Sequence, residues 1–413
     1  MKILFLTHYF PPEVNAPANR TFEHCREWVK EPDVDITVIT NFPNHPDGKI
    51  FPGYKNKLYQ NEKIDGIEVI RVLTFISANE GFLLRTTNYV FYMIMSILYV
   101  LFSRLKFDII VATSPQFFCG LAGKYIAKLK RKPFILEIRD LWPESIVVVG
   151  AITNQRIIKF LEGIEKRLYK SADHIVLVTR SFVKHIHKCG ISKEKISVIF
   201  NGISVDIFNN KSEISDKKLK STLESDKLRL GYIGTIGMAH SIITLVDAAE
   251  KLKEEDVQFL VIGSGAERKN IEEEIEKRRL DNFNVFPIQP KSEIPSIING
   301  LDIFIVNLKK SDLFKTVIPS KIFEGMIMKK PILIGVDGEA RKIVEEAEVG
   351  LYFEPENAAD LVQKIQYLSN NPAERKRSGE NGYNYVINKF NRINLAAEML
   401  SIIKNQRSIS SEA

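Results

Sequence analysis

The stretch TVIPSKIFEGM, residues 316 to 326, sets a lysine and a glutamate three positions apart at the start of an apolar segment. Pro319 stops any earlier helix, Ser320 is a good N-cap, and Ile322, Phe323, Met326 and Ile327 recur at helical spacing. The first backbone N–H groups of such a helix are unpaired and its dipole is positive there, so a phosphate can rest on that end. Lys321 adds a full charge, and Glu324, on the same face, can accept from hydroxyl groups. An anion receptor followed one turn later by a hydroxyl acceptor suits the phosphates and ribose of a nucleotide. A capped helix carrying an ordinary surface salt bridge fits the same residues.

Two glycine-bearing turns stand in the same half. GYIGTIGMAHS carries Gly234, Thr235 and Gly237 behind an apolar run, and VIGSGAER carries Gly263 and Gly265 behind another. Glycine at a strand end lets backbone approach a ligand closely. The second turn holds part of a dinucleotide fingerprint, with Arg268 where the third glycine would stand. Tight turns without a ligand account for both equally well. In the first half, KILFLTHYFPPEVNAPANR places Asn15 and Arg20 after a first strand, and FILEIRDLWPES places Arg139 and Asp140 at the end of another. Asp140 is suited to orient or deprotonate a hydroxyl, or else to cap a helix or pair with Arg139.

The elements that must position these residues follow from the apolar runs. KILFLT, VDITVIT, IEVIRVL, DIIVATS, PFILEI, HIVLVT and ISVIF alternate with helical patterns, and LRLGYIG, VQFLVIG, NVFPI, DIFIVNL, PILIGV and VGLYF do the same further on. Continuous apolar strands interleaved with helices predict α/β architecture, with two Rossmann-like doubly wound domains facing a cleft. The expected boundaries are 1–205 and 206–383. Residues 384–413 are expected to form an amphipathic helix packing back on the first domain.

The 413 residues suit two domains, and the composition is that of a globular protein. Cys25, Cys119 and Cys189 are widely spaced, which favours buried thiols in a reducing compartment. His8, His24, His45, His185, His187 and His240 form no metal-ligand spacing with cysteines or carboxylates, so no metal and no cofactor is expected. MKILFLTHYFPPE reads as a first strand rather than a leader, and the apolar run at 90–102 falls short of the roughly 20 residues that span a bilayer. Residues 1–200 carry a net charge of about +9 and the rest about −2. The positive charge is diffuse and no nucleic-acid motif accompanies it.

HYFPPE, TNFPNHPDGKIFPGY, VATSPQFFCGLAGKYIA, EIRDLWPES, FNGISVDIF and TVIPSKIFEGM together resemble the GT-B glycosyltransferases of retaining family 4, within it the WbuB-like subgroup that builds bacterial surface polysaccharides. The resemblance covers nearly the whole chain. It implies a nucleotide sugar, with uridine diphosphate as the expected carrier, bound by the second domain, and a lipid-linked saccharide acceptor bound by the first. Lys321 then matches the cation on the departing diphosphate and Glu324 the carboxylate on the ribose. Ser320, Thr316, Gly234, Thr235, Gly237, Gly263 and Gly265 line the donor, while Asn15, Arg20, Arg139 and Asp140 lie on the acceptor side, with Asp140 close to the reacting carbon. The implied reaction moves a hexose or N-acetylaminosugar with retention and without a metal. A nucleotide-sugar 2-epimerase of the same architecture and a silent assembly partner are the alternatives. Two departures from the family pattern stand out: Thr316 occupies the position eight before Glu324 where a second glutamate is usual, and His240 replaces a usual basic residue. The basic first domain, with Arg85, Arg104 and Lys106 flanking the apolar run, suits a cytoplasmic protein lying on the anionic inner face of the cell membrane.

Overall fold

The computed structural model describes the whole chain except residues 46, 78–81, 115–116, 145–146, 148–151, 153, 210–211 and 413. Pro46, Pro115, Gln116 and Ser145, which fall inside the quoted motifs, lie outside the described residues. The chain divides into two compact units, one of residues 1–201 with 392–413 and one of residues 202–391.

In the first unit the apolar runs become β1 (Lys2–Leu6), β2 (Asp35–Asn41), β4 (Ile67–Val72), β5 (Ile109–Thr113), β6 (Phe134–Ile138), β7 (His174–Leu177) and β8 (Ile196–Val198). They form one sheet in the order β3-β4-β2-β1-β5-β6-β7-β8, parallel except for β3 (Tyr59–Ile64), which runs antiparallel to β4 at the edge. The sequence reading missed β3. Its YQNEKI alternates exposed and half-buried residues, as an edge strand covered on one face does.

The second unit holds β9 (Leu228–Ile233), β10 (Val257–Ile262), β11 (Phe283–Phe286), β12 (Ile303–Asn307), β13 (Ile332–Gly335) and β14 (Gly350–Tyr352), all parallel in the order β11-β10-β9-β12-β13-β14. Counted within the unit this is 3-2-1-4-5-6, the doubly wound order in which ligands bind beyond the carboxyl ends of the strands near the first and fourth. β10 and β12 are buried along their whole length, which explains why VQFLVI and IFIVN are apolar but for Gln258 and Asn307.

The closing segment is two helices rather than one. Pro372–Lys389 ends before Phe390, whose ring stacks on Phe323 at 4.4 Å, and a new helix runs from Arg392 to Glu412. That second helix buries Leu395, Ala396, Met399 and Ile403 in the first unit's core with Phe5, Val38 and Val111, and Trp28 Nε1 donates to the Ala396 carbonyl at 2.7 Å. The run at 90–102 belongs to a helix, Phe82–Phe102. Tyr92, Ser96 and Val100 lie buried on one face, whereas Ile94, Leu98, Leu101 and Phe102 are exposed on the other.

One buried ion pair ties the first unit together. Arg20, on the helix Ala16–Trp28, donates to Glu137 on β6 at 2.9 Å and to the carbonyls of Phe200 and Ile199. Glu137 also accepts from the Thr113 hydroxyl at 2.6 Å. Burial alone would push the Glu137 carboxyl up, yet Arg20 and Arg139 hold it below the usual range. Removing one member leaves the other charged and unpaired in the core. Arg20→Met is therefore expected to cost about 3–5 kcal/mol in urea unfolding, with Arg20→Met/Glu137→Leu recovering part of the loss.

Candidate functional site

In the second unit the site is assembled from two strand exits. Tyr232, the fifth residue of β9, is buried, and its hydroxyl donates to the Thr235 carbonyl at 2.7 Å. β12 leads through a short 3-10 turn, Leu313–Thr316, to the helix Lys321–Ile327. Lys321 reaches back across 89 positions of sequence: its Nζ donates to Tyr232 Oη at 2.7 Å and stands 4.0 Å from the centre of the same ring. An ammonium held by a neutral phenol and an aromatic face is poorly compensated for the water it has lost. Burial accordingly pushes the Lys321 ammonium down to about 8, against the opposing pull of Glu324.

The glycines make this placement possible. A Cβ on Gly234, whose φ is +145°, would stand 2.2 Å from Lys321 Nζ, so only glycine lets the ammonium lie against the turn. Gly263 and Gly265 act one layer further back. A Cβ on Gly263 would meet the Gly234 carbonyl oxygen at 1.8 Å, and one on Gly265 the Ile236 carbonyl oxygen at 2.3 Å. The two turns are laced by Gly234 N–H to Ile262 and Ile236 N–H to Ser264, both 2.9 Å. Arg268, at the third fingerprint position, donates to the Gly263 carbonyl and pairs with Glu272, so it closes the turn from behind. Gly237 has room beside it, and Thr235 is exposed.

Glu324 faces the same region. It makes no ion pair with Lys321, and among the described residues its carboxylate accepts no hydrogen bond. Burial raises it, while Lys321 and Lys291 pull it down. The simple surface salt bridge that the sequence allowed is therefore absent. Ser320 occupies the N-cap position, but it is exposed and its hydroxyl caps nothing. Thr316 is half-buried at the end of the 3-10 turn. His240 stands near the same ammonium: burial and then Lys321 lower its pKa, and its Nδ1 lacks a partner among the described residues. Burial and the neighbouring ammonium thus favour the neutral imidazole at His240.

The four residues of the first unit expected on the acceptor side are less uniform. Asn15 is the N-cap of Ala16–Trp28, accepting from Ala18 N–H at 2.9 Å. Arg20 is a structural cation: its side chain is 3% exposed in the pair described above, which turns it away from the acceptor-side role expected of it. Arg139 turns back to donate to the carbonyls of Ala16 and Pro17, at 3.2 and 3.3 Å. Asp140, just beyond β6, is half-buried, and its charge adds to the upward shift that burial and Glu165 impose on the Tyr169 hydroxyl. All three thiols are free, with Cys25 and Cys119 buried. Spacing did not foresee that Glu165, His185 and Cys189 come together with ligand atoms within 4.8 Å. Hydrogen bonds already serve that group, since Glu165 accepts from Tyr169 at 2.7 Å and meets His185 Nε2 at 3.0 Å.

Comparison with known proteins fits this arrangement. Residues 18–207 match the model described as Glycosyltransferase Family 4, and residues 213–385 match that of Glycosyl transferases group 1. The chain belongs to family 4 of the GT-B glycosyltransferases. It is 22% identical to the putative colanic acid biosynthesis glycosyl transferase WcaI of Escherichia coli, over 89% of this chain and 91% of that protein. It is 24% identical to the capsular polysaccharide biosynthesis glycosyltransferase CapM of Staphylococcus aureus, over 88% of each. Its fold matches Anabaena HepE, solved in complex with UDP, at a TM-score of 0.69 and 15% identity, over 98% of this chain and 100% of that one. No described helix is long and apolar enough to cross a membrane.

Proposed function

We propose that this family 4 enzyme transfers a hexosyl or N-acetylhexosaminyl group from a uridine diphosphate sugar to a lipid-linked precursor of a surface polysaccharide, retaining the configuration at the anomeric carbon and using no metal. The observation that carries the reading is the Lys321 ammonium, laid against the Gly234 turn with a phenol as its hydrogen-bond partner and, among the described residues, no carboxylate in ion-pair contact. A dianionic diphosphate would supply the counter-charge that this cation lacks. Glu324, three residues on and without a hydrogen-bond partner among the described residues, would accept from the ribose hydroxyls. HepE, whose fold this chain shares, was solved with UDP, and the names of WcaI and CapM point to surface polysaccharides.

In the proposed reaction the bond from the anomeric carbon to the diphosphate oxygen breaks. The acceptor hydroxyl attacks from the same face, and its proton passes to the departing diphosphate. Lys321 would steady the charge that develops on that oxygen, together with N–H groups of the two glycine turns other than those of Gly234, Ile236 and Gly263, which already donate to Ile262, Ser264 and Phe286, a role preorganised donors fill without reorganisation at the moment of reaction. With His240 neutral, Lys321 would be the chief side-chain cation in this role. In the first domain, Asp140 would orient the acceptor hydroxyl, with Asn15 and Arg139 shaping the loop beside it.

Lys321→Ala is expected to weaken UDP binding roughly ten- to a hundredfold in calorimetry, the 1.5–3 kcal/mol of a charge-assisted hydrogen bond, with the melting temperature of the free protein maintained. With burial pushing the free ammonium down to about 8, it should be charged below that pH and neutral above it. Wild-type affinity should therefore fall between pH 7 and pH 9, while the alanine variant stays nearly flat. Donor turnover should require acceptor; isomerisation of the donor alone would mark an epimerase instead.

The exposed face formed by Ile94, Leu98, Leu101 and Phe102 would meet lipid. Tyr125 and Leu129 on the adjoining helix Phe117–Lys130 are exposed as well, and Lys128, Lys130, Arg131 and Lys132 supply positive charge near its end. Flotation with anionic vesicles should recover the protein, neutral vesicles should recover less, and Leu98→Ser/Leu101→Ser/Phe102→Ser should abolish the difference.

A further inference from the structure

A second polar recess lies within the first unit, apart from every residue assigned so far except Arg85. Its walls come from the exit of β1 (His8, Tyr9, Glu13), the exit of β2 (Asn41, Asn44) and the first turns of the helix Phe82–Phe102 (Asn88, Tyr89). Between them is about 320 Å³, counting the part open to solvent, and the enclosed floor has room for about one water-sized group. This is a place for one edge of a ring, with a single substituent reaching the floor.

The walls are unusual in how deeply their polar groups are buried and how incompletely they are paired. Glu13 is 2% exposed, and its Oε1 accepts from the N–H groups of Asn44 and His45 at 3.0 and 2.9 Å, but Oε2 accepts nothing among the described residues. Arg71, wholly buried, donates to the Asn41 and Pro11 carbonyls and offsets part of the Glu13 charge, while burial still raises that carboxyl. Asn88 spends its Nδ2 on the Phe75 carbonyl; its Oδ1 stands beside His8 without a well-aligned bond. The His8 ring meets the Asn41 amide nitrogen at 3.0 Å and touches Tyr9, Tyr89 and Tyr92 edge-on at 4.8 to 5.2 Å. Burial drives its pKa to about 3, so it is neutral at physiological pH. The cation among the lining residues with a flexible, exposed side chain is Arg85, whose Nε lies 3.4 Å from the Tyr89 hydroxyl.

Unfilled acceptors on buried groups cost free energy until a donor reaches them. The complement is therefore a small hydroxyl or amide N–H on an apolar ring face that can lie against tyrosine edges. A carboxylate or phosphate at the floor would instead oppose the Glu13 charge. We propose that this recess receives the sugar of the acceptor, taking a hydroxyl or acetamido N–H at Glu13 and Asn88, and that it selects a neutral hexose or N-acetylhexosamine over a hexuronate. This rests on the transferase reading above and adds the chemical class of acceptor to it.

The test uses the full chain saturated with UDP and three probes, the methyl glycosides of glucose, N-acetylglucosamine and glucuronic acid, followed by saturation-transfer NMR. Wild type should show transfer to at least one of the two neutral glycosides and at least fivefold less to the glucuronide. Asn88→Ala should reduce the neutral signal at least fivefold, and Glu13→Gln should erase the discrimination against the glucuronide. UDP affinity should be unchanged in both variants, which also reports that they fold. The proposal is overturned if neither neutral glycoside binds, if the glucuronide binds as well as they do, or if Asn88→Ala changes nothing while UDP still binds. Failure of wild type to bind UDP would count against the transferase reading itself, whatever the glycosides do. Should Glu13→Gln fail to fold, Asn88→Ala and the wild-type preference decide alone.

Discussion

A partly buried ammonium with no carboxylate in ion-pair contact among the described residues is the constraint around which the second unit is arranged. Lys321 has exchanged water for a phenol hydroxyl and an aromatic face, neither of which carries a compensating full charge. Such a group lowers its own pKa and attracts whatever anion can reach it. Most of the surrounding local structure serves to keep it there. Gly234 leaves the space that the ammonium fills, Gly263 and Gly265 let the second turn close against the first, and Arg268 holds that turn from behind. Tyr232 sits one strand residue away from the turn it stabilises through Thr235.

The first unit applies the opposite arrangement to its deepest charges. Arg20 and Glu137 neutralise one another and share their remaining hydrogen bonds with Thr113 and the carbonyls at the end of β8. A compensated pair of this kind fixes backbone positions, here the exits of β5, β6 and β8, and leaves little charge for a substrate. The same contrast separates Arg139, turned onto the helix start, from Glu13, which among the described residues keeps an oxygen unpaired in a recess. Where compensation is complete the group supports the fold, and where it is incomplete a ligand can complete it.

Much of this was legible in the sequence. Parallel strands buried on both faces are mostly apolar, so each such strand appeared as an apolar run broken by at most a few polar residues such as Arg71, Glu137 and Gln258, and the two series of runs matched the two sheets. β3 escaped because an edge strand needs no apolar run. The break between Pro372–Lys389 and Arg392–Glu412 escaped because Phe390 continues the helical spacing while its ring is held by Phe323, a contact that periodicity does not register. At the site, Lys321, Glu324 and the glycines were identifiable from residue type and spacing. Their physical state was not. The loss of solvent at Lys321 depends on Tyr232, 89 positions away, and nothing local foretells that contact. Arg20 misled for a related reason: position near a strand end does not reveal which way a long side chain turns. The deep recess at His8, Glu13 and Asn88 was invisible because its walls come from three separate stretches of chain.

The central claim is that the Lys321 ammonium waits for a diphosphate. Its titration can be followed directly by heteronuclear NMR of lysine Nζ, with the resonance assigned through the Lys321→Ala variant, in the absence and presence of saturating UDP. The account predicts a midpoint near 8 in the free protein and a rise of a unit or more when the nucleotide is bound, since an adjacent anion favours the charged form. A midpoint that stays in place while UDP binds elsewhere on the chain would contradict it.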